Sequence, residues 1–307
     1  MKYIVTGGAG FIGSHIVEEL AQQHEVVIFD NLFSGKMENI QPFLKKKNVT
    51  FVEGSITDLS LLKKIFEGAD GIFHEGAIAS VPRSIANPLA TNEANVTGTL
   101  NVLIASRDCD VRKVLFASSS SVYGNTPTLP KREDMTPDPL SPYAVSKLTG
   151  EHYLKVFSEV YGLKTLSLRY FNVFGPRQDP KSEYAAVIPR FITKIFSHES
   201  PTIYGDGSQT RDFTYVKDVV QANIRAMESD AEGVFNVAYC KRIDLNELAY
   251  QIMEITGITV PLVYEPPRTG DVRDSLADIR RAQEAFGYAP EYTVRRGLEE
   301  TIAWYRK

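Results

Sequence analysis

The chain has 307 residues and a mass of 34.3 kDa, room for two domains or for one large α/β unit with a lobe attached. Hydrophobic residues make up 43% and charged residues 23%, which excludes a disordered chain; the net charge of −4, with Lys and Arg spread along the sequence, excludes the basic footprint of a nucleic-acid binder. Two separated cysteines, Cys109 and Cys240, and five histidines without ligand spacing exclude a disulfide framework and a zinc motif, so no metal is expected.

The elements follow in chain order. Tyr3–Val5 is a predicted strand ended by glycines, Phe11–Gln22 a helix and Glu25–Phe29 a second strand. Val49–Val52 is a third strand, Leu59–Phe66 a helix and Gly71–His74 a fourth strand. Asn95–Ser106 belongs to a longer helix, and Lys113–Ala117 is the fifth strand. Tyr143–Tyr161 is predicted helical and Leu163–Arg169 extended. Short apolar runs separated by helices imply an α/β fold of the Rossmann type, a doubly wound parallel sheet covered on both faces. After residue 170 the pattern loosens at Gly175-Pro176 and at 204–207, with late helices expected at Leu245–Thr256 and Arg295–Tyr305. No apolar stretch approaches the roughly 20 residues that span a bilayer, and Met1-Lys2 leads straight into a strand rather than a signal peptide. A cytoplasmic protein with reduced thiols is the expectation.

Gly7, Gly10 and Gly13 form G-x-x-G-x-x-G between the first strand and the first helix. The first glycine allows a tight turn, the second lets backbone N–H groups approach a pyrophosphate, and the third lets helix pack on strand. Asp30 ends the second strand, 20 residues after Gly10, where a carboxylate accepts hydrogen bonds from both ribose hydroxyls of an adenosine. It would repel a 2′-phosphate, and Asn31 supplies no compensating cation, so NAD is expected rather than NADP. Tyr143 and Lys147 stand four apart on one face of a predicted helix. An ammonium nearby, and the charge of an oxidised nicotinamide, both favour a phenolate able to take a hydroxyl proton. Ser118–Ser121 stand at the end of the fifth strand, where open α/β sheets bind ligands. Ser141-Pro142 makes a plausible start for the Tyr143 helix.

These motifs resemble the extended short-chain dehydrogenases/reductases, and within them the UDP-hexose 4-epimerases. The resemblance covers essentially the whole chain through TGGAGFIGSH (6–15), SSSSVYG (118–124), SPYAVSK (141–147), LRYFNVFGPRQ (168–178), TRDFTYVKDV (210–219) and RTGDVRDSLAD (268–278). It implies that Tyr143 takes the 4-OH proton while hydride passes from C4 to bound NAD, and that hydride returns to the other face of a 4-keto sugar. Ser119 aligns with the catalytic Ser/Thr, and Ser120 assists. The resemblance places Gly7, Gly10, Phe11, Ile12, Gly13, Asp30, Asn31, Ser34, Gly35, Asp58, Ala77, Asn95, Tyr143, Lys147 and Tyr170 around NAD. It places Ser80, Arg83, Ser119, Ser120, Asn172, Val187, Tyr204, Arg211, Arg268, Asp271 and Ser275 around a UDP-sugar. Asn172, Arg211 and Arg268 would hold the diphosphate, and Asp271 the uridine ribose.

Departures from related enzymes narrow the reaction. The 4,6-dehydratases carry Asp-Glu directly after the catalytic Ser/Thr, and the UDP-glucuronate decarboxylases place a carboxylate in the same stretch; here Ser120 and Ser121 stand instead. The gate position beside the sugar is Ser275, small enough for a 2-N-acetyl group. HEGAIASVPRS (74–84) and YAAVIPR (184–190) also resemble epimerases of UDP-GlcNAc and UDP-GalNAc. A UDP-uronate epimerase, with Arg83 reaching a carboxylate, and a non-catalytic NAD-binding scaffold are the alternatives. The resemblance further implies a homodimer joined near Thr91–Ser106 and Pro142–Tyr161. It also implies a division into an NAD-binding domain (1–172) and a mainly nucleotide-sugar-binding α/β lobe (173–307) with segments returning to the sheet.

Overall fold

The computed structural model describes residues 1–180, 186–267 and 273–306. Seven strands, Lys2–Thr6, Glu25–Asp30, Val49–Glu53, Gly71–His74, Lys113–Ser119, Lys164–Tyr170 and Gly233–Val237, form one parallel sheet. Their spatial order is seventh, sixth, fifth, fourth, first, second, third. The order reverses between the first and fourth strands, which opens a crevice at their carboxyl ends.

The strands are apolar on both faces because both are covered. Alternate residues feed two cores: Val5, Ile28 and Leu115 pack with Ile16, Val17, Ala222 and Ala226, whereas Ile4, Phe29 and Phe116 pack with Leu62, Phe66, Leu103 and Leu154. A third core, including Phe174, Ile192, Phe213, Tyr215, Leu248, Ile252 and Leu298, fills the lobe built by the second half.

The predicted elements are present with small shifts. The first helix spans Phe11–Leu20, two residues shorter than expected. The stretch Asn95–Ser106 lies in a continuous helical run from Pro88 to Asp108, which passes through a π turn at Glu93–Thr97. The long helix Pro142–Tyr161 begins as its sequence predicts: Ser141 Oγ accepts from Ala144 N at 3.2 Å and Pro142 fills the first position. Gly162, at φ 68°, closes it. Sequence reading missed the helices Val187–Phe196, Val216–Glu228 and Arg280–Phe286 and the strand Gly233–Val237. That strand joins the main sheet beside Lys164–Tyr170, and Val216–Glu228 packs against the first helix. Among the described residues, no helix is long and apolar enough to cross a membrane.

Candidate active site

The glycine loop is drawn tight by backbone contacts. Gly7 has φ 67°, and a Cβ there would stand 2.7 Å from Gly76 N. A Cβ on Gly13 would stand 2.3 Å from Gly7 O. Any side chain would push the loop off the 75–77 segment or the helix off the strand. Gly10 leaves the start of the first helix without a side-chain cap, so the N–H groups around Phe11 and Ile12 form a ready anion site. Asp30 is buried; its carboxylate accepts from Ala9 N at 3.0 Å and Leu32 N at 2.8 Å. Burial pushes the Asp30 carboxyl upward, and these two N–H donors oppose it. Gly35 leaves its flank open, since a Cβ there would lie 2.8 Å from both carboxylate oxygens. Asn31 Oδ1 accepts from Phe33 N at 3.1 Å, and Ser34 is exposed on the same loop. This cradle of bare N–H groups, small residues and a terminal carboxylate fits a dinucleotide.

Three of the residues expected around the cofactor also make structural hydrogen bonds. Asp58 caps the helix Leu59–Phe66, its Oδ1 accepting from Leu61 N at 3.0 Å. Asn95 is buried and spends its amide on Ile78 N at 2.8 Å, Ile78 O at 3.2 Å and Ser146 Oγ at 3.0 Å. It fixes the loop of half-buried Ala77 to the Tyr143 helix. The Tyr170 hydroxyl donates to Glu75 Oε1 at 2.8 Å and accepts from Asn223 Nδ2 at 2.9 Å.

The reactive groups meet at the carboxyl end of the fifth strand. Tyr143 lies beside Ser119, whose hydroxyl favours the ionised phenol. Lys147 is buried, donates to Ala117 O at 2.8 Å and lies 5.9 Å from the Tyr143 ring centre. Burial is the largest influence and pushes Tyr143 upward, and it lowers Lys147 to about 8. The four serines separate into distinct roles. Ser118 donates to Glu151 Oε1 at 2.5 Å, Ser119 Oγ accepts from Ser121 N at 3.2 Å, and Ser120 opens a short 3-10 turn, Ser120–Tyr123.

Two acids in this region were not singled out from sequence. Glu151 receives Arg169 through Nε at 2.9 Å and Nη2 at 2.7 Å, and so clamps the helix to the fifth and sixth strands. It continues the Tyr143, Lys147 series by one more turn, a signal the sequence carried. Glu75 follows the apolar fourth strand directly, at the strand end where ligands bind.

The second lobe gathers further expected residues. Asn172, at φ 35°, donates to Asp212 O and to Ser275 Oγ, both at 3.0 Å. Ser275 Oγ also accepts from Asp212 N at 3.1 Å, so Ser275 is an integral part of the wall rather than a loose surface serine. Arg211 donates from Nη1 to Thr210 O at 2.9 Å and Arg273 O at 2.8 Å. Arg190 lies 5.8 Å over the Tyr204 ring, and Val187 starts that arginine's helix. Ser80 Oγ caps its helix by accepting from Arg83 N at 3.2 Å, and the Arg83 guanidinium lies 5.3 Å over the Phe33 ring. Arg268 and Asp271 lie outside the described residues. No group of three or more His, Cys, Asp or Glu able to hold a metal occurs among the described residues.

Known proteins place this geometry. The NAD dependent epimerase/dehydratase family matches residues 3–238. A putative UDP-glucose 4-epimerase of Methanocaldococcus jannaschii is 42% identical over 99% of this chain and 98% of its own. The UDP-N-acetylglucosamine 4-epimerase of Methanobrevibacter ruminantium, solved with UDP-N-acetylmuramic acid, is 46% identical, with a TM-score of 0.97 over 99% of this chain and 98% of that one. The Thermus thermophilus UDP-glucose 4-epimerase, solved with NAD, is 37% identical, with a TM-score of 0.91 over 100% and 99%. With a family model matching more than half of its length and relatives above 40% identity over nearly all of it, the chain belongs to the NAD-dependent epimerase/dehydratase family.

Proposed function

We propose that this protein is a UDP-sugar 4-epimerase that inverts C4 through a transient 4-keto sugar, with UDP-GlcNAc and UDP-GalNAc as its main pair. The observation that carries the reading is the convergence of Ser119, Tyr143 and Lys147 beside the glycine crevice, with Ser120 and Ser121 where a dehydratase would need an acid pair. Bound NAD supplies hydride acceptance and return at C4. Tyr143 removes and restores the hydroxyl proton, Ser119 holds the reacting oxygen, and Lys147 supplies positive charge. Gly7, Gly10, Phe11, Ile12 and Gly13 would hold the NAD pyrophosphate, and Asp30 the adenosine ribose. Asn172, Arg211 and Arg268 would take the UDP diphosphate and Asp271 its ribose. The small Ser275, fastened to Asn172, supports room for a 2-N-acetyl group. The M. ruminantium relative, named for UDP-N-acetylglucosamine, supports the same choice.

The same reading assigns 1–172 to NAD and chemistry and 173–307 mainly to the nucleotide sugar. It also expects a homodimer through the face bearing Leu89, Leu140, Val145, Val156 and Val160, all exposed. Light scattering tests the dimer. The test of function is to incubate purified protein with UDP-GlcNAc, UDP-glucose or UDP-glucuronate without added cofactor, and to measure NAD released on denaturation. Turnover of UDP-GlcNAc to UDP-GalNAc is expected. Turnover of neither UDP-GlcNAc nor UDP-glucose ends the reading, and preferential turnover of UDP-glucuronate replaces the substrate.

A further inference from the structure

We propose that Glu75 is a positioning residue that sets the pH window of the reaction by holding negative charge beside Tyr143 and Lys147. The inference rests on the epimerase reading for its kinetic consequence, but its geometry stands independently.

Glu75 sits in the segment that touches Gly7, directly after the fourth strand. Its carboxylate is aimed by a relay from other elements. Asn223, on the helix Val216–Glu228, donates through Nδ2 to the Tyr170 hydroxyl at 2.9 Å and to Val219 O at 2.8 Å. Tyr170, ending the sixth strand, then donates its own O–H to Glu75 Oε1 at 2.8 Å. A hydrogen bond donated by a phenol favours the carboxylate over the acid. The side chain is partly exposed, so the relay fixes it where the crevice is open.

The groups facing it can all be named. Tyr170 pairs in register with Ser119, the hydroxyl beside Tyr143, so the carboxylate it holds stands on the side of the crevice that the helix Pro142–Tyr161 faces with Tyr143 and Lys147. From the sixth strand it is Tyr170, whose phenol is buried and raised well above its ordinary range. From the fourth strand it is the neighbouring His74, held neutral between Thr6 and Thr99. Asn223 is polar but does not titrate. The titrating partners near neutrality are therefore Glu75, pushed by burial to about 7, and Lys147, lowered by burial to about 8.

The sign follows from Coulomb's law. A carboxylate raises the pKa of the nearby phenol, and it raises that of the nearby ammonium. The reaction needs Tyr143 able to lose its proton and Lys147 able to keep its own. Above about pH 7, where Glu75 is ionised, removing its charge therefore moves both limbs of the pH profile toward acid. Without a direct ion pair, the shift expected is about 0.5–1 pH unit per limb.

Glu75→Gln keeps the shape and can still accept from Tyr170. The expected result is an acid-ward move of both limbs of kcat/KM, with KM changed by less than about twofold. A second readout needs no turnover: the phenolate ultraviolet absorbance of the NAD-loaded protein, minus that of its Tyr143→Phe counterpart, titrates at lower pH in the Glu75→Gln background. Glu75→Asp restores the profile in part. Tyr170→Phe, which removes the donor to Glu75, shifts both readouts in the same direction by less, and stands in if Glu75→Gln does not fold. A uniform drop in rate with unmoved limbs and an unmoved phenolate titration overturns the proposal. If the wild type turns over no UDP-sugar, the epimerase reading fails, and the phenolate titration still decides Glu75.

Discussion

Glu151 and Arg169 offer a perturbation whose size can be worked from the structure. Each side chain is 4% exposed, and the two are joined by paired hydrogen bonds of 2.9 and 2.7 Å. Ser118 supplies one further donor to the carboxylate, and the guanidinium lies 4.6 Å over the Tyr123 ring. Among the described residues the Arg169 Nη1 atom has no hydrogen-bond partner, so Glu151 and the Tyr123 ring are what hold the arginine. Arg169→Met strands a buried carboxylate beside one hydroxyl, and Glu151→Met strands a buried guanidinium. Each should cost about 3–5 kcal/mol. The double change Glu151→Met/Arg169→Met removes both charges and leaves an apolar pair of similar bulk, so only the Ser118 hydroxyl loses a partner. It should cost no more than about 2 kcal/mol. The coupling between the sites is then at least about 4 kcal/mol. Urea unfolding of all four proteins at one protein concentration measures it, with an unchanged m-value confirming the same unfolded state. Single changes below about 1 kcal/mol, or a double change equal to their sum, would refute the reasoning. The singles should also lower kcat, because Glu151 ties the helix of Tyr143 and Lys147 to the strand of Ser119.

Other expectations follow from single contacts. Tyr143→Phe should lower kcat about 10²–10⁴-fold while the NAD released on denaturation stays at wild-type level; wild-type turnover would remove Tyr143 from the chemistry. Gly13→Ala places a Cβ 2.3 Å from Gly7 O, so the folded protein should release little or no NAD, and full occupancy would contradict the tight loop. His15 and His74 are buried and held down to about 4 and about 3 by desolvation first of all. His74 Nε2–H donates to Thr99, which itself donates to Asn95 O, so Nδ1 must accept from Thr6 and cannot take a proton without breaking that bond. Folded pKa values below the unfolded 6.5 mean stability that is complete above pH 6.5 and lost as pH falls toward 4 and 3. The loss at pH 5 should be about 2 kcal/mol per histidine, and His74→Gln should flatten that slope in urea unfolding at graded pH.

What was legible in the sequence was what one stretch of chain decides alone. Gly7 takes the positive φ of a tight turn, Gly13 is required by its approach to Gly7 O within the same loop, and Asp30 ends a strand whose apolar run is unmistakable. Tyr143 and Lys147 share a helix whose start is written in Ser141-Pro142. What was not legible depends on the sheet bringing distant segments together. Glu75, Tyr170 and Asn223 meet across 148 residues of chain, and nothing local marks Tyr170 as a donor to an acid. The helix cap made by Asp58 and the loop tether made by Asn95 were likewise not foreseen. The helix Val216–Glu228 did carry a signal, with Val216, Val219, Val220, Asn223, Ala226 and Met227 buried at helical spacing. The short strands and turns before it hid that period.

Charge around the adenosine site favours NAD over NADP. A 2′-phosphate on the adenosine would meet Asp30, which is buried and already accepts two backbone N–H groups. Accommodating the phosphate needs either a protonated Asp30 or a cation. Protonation is opposed by the Ala9 and Leu32 donors, which bind the carboxylate. The cation on the same loop is Lys36, and its ammonium is paired with Asp179 at 3.1 Å. Turning Lys36 toward a phosphate would break that pair. Its side chain is 41% exposed, so the pair itself contributes little stability. The barrier to NADP therefore lies mainly in the buried Asp30 carboxylate. Asp30→Asn alone removes the repulsion without adding attraction, so it should relax the preference without inverting it. Inversion would need a new arginine on the 31–36 loop as well.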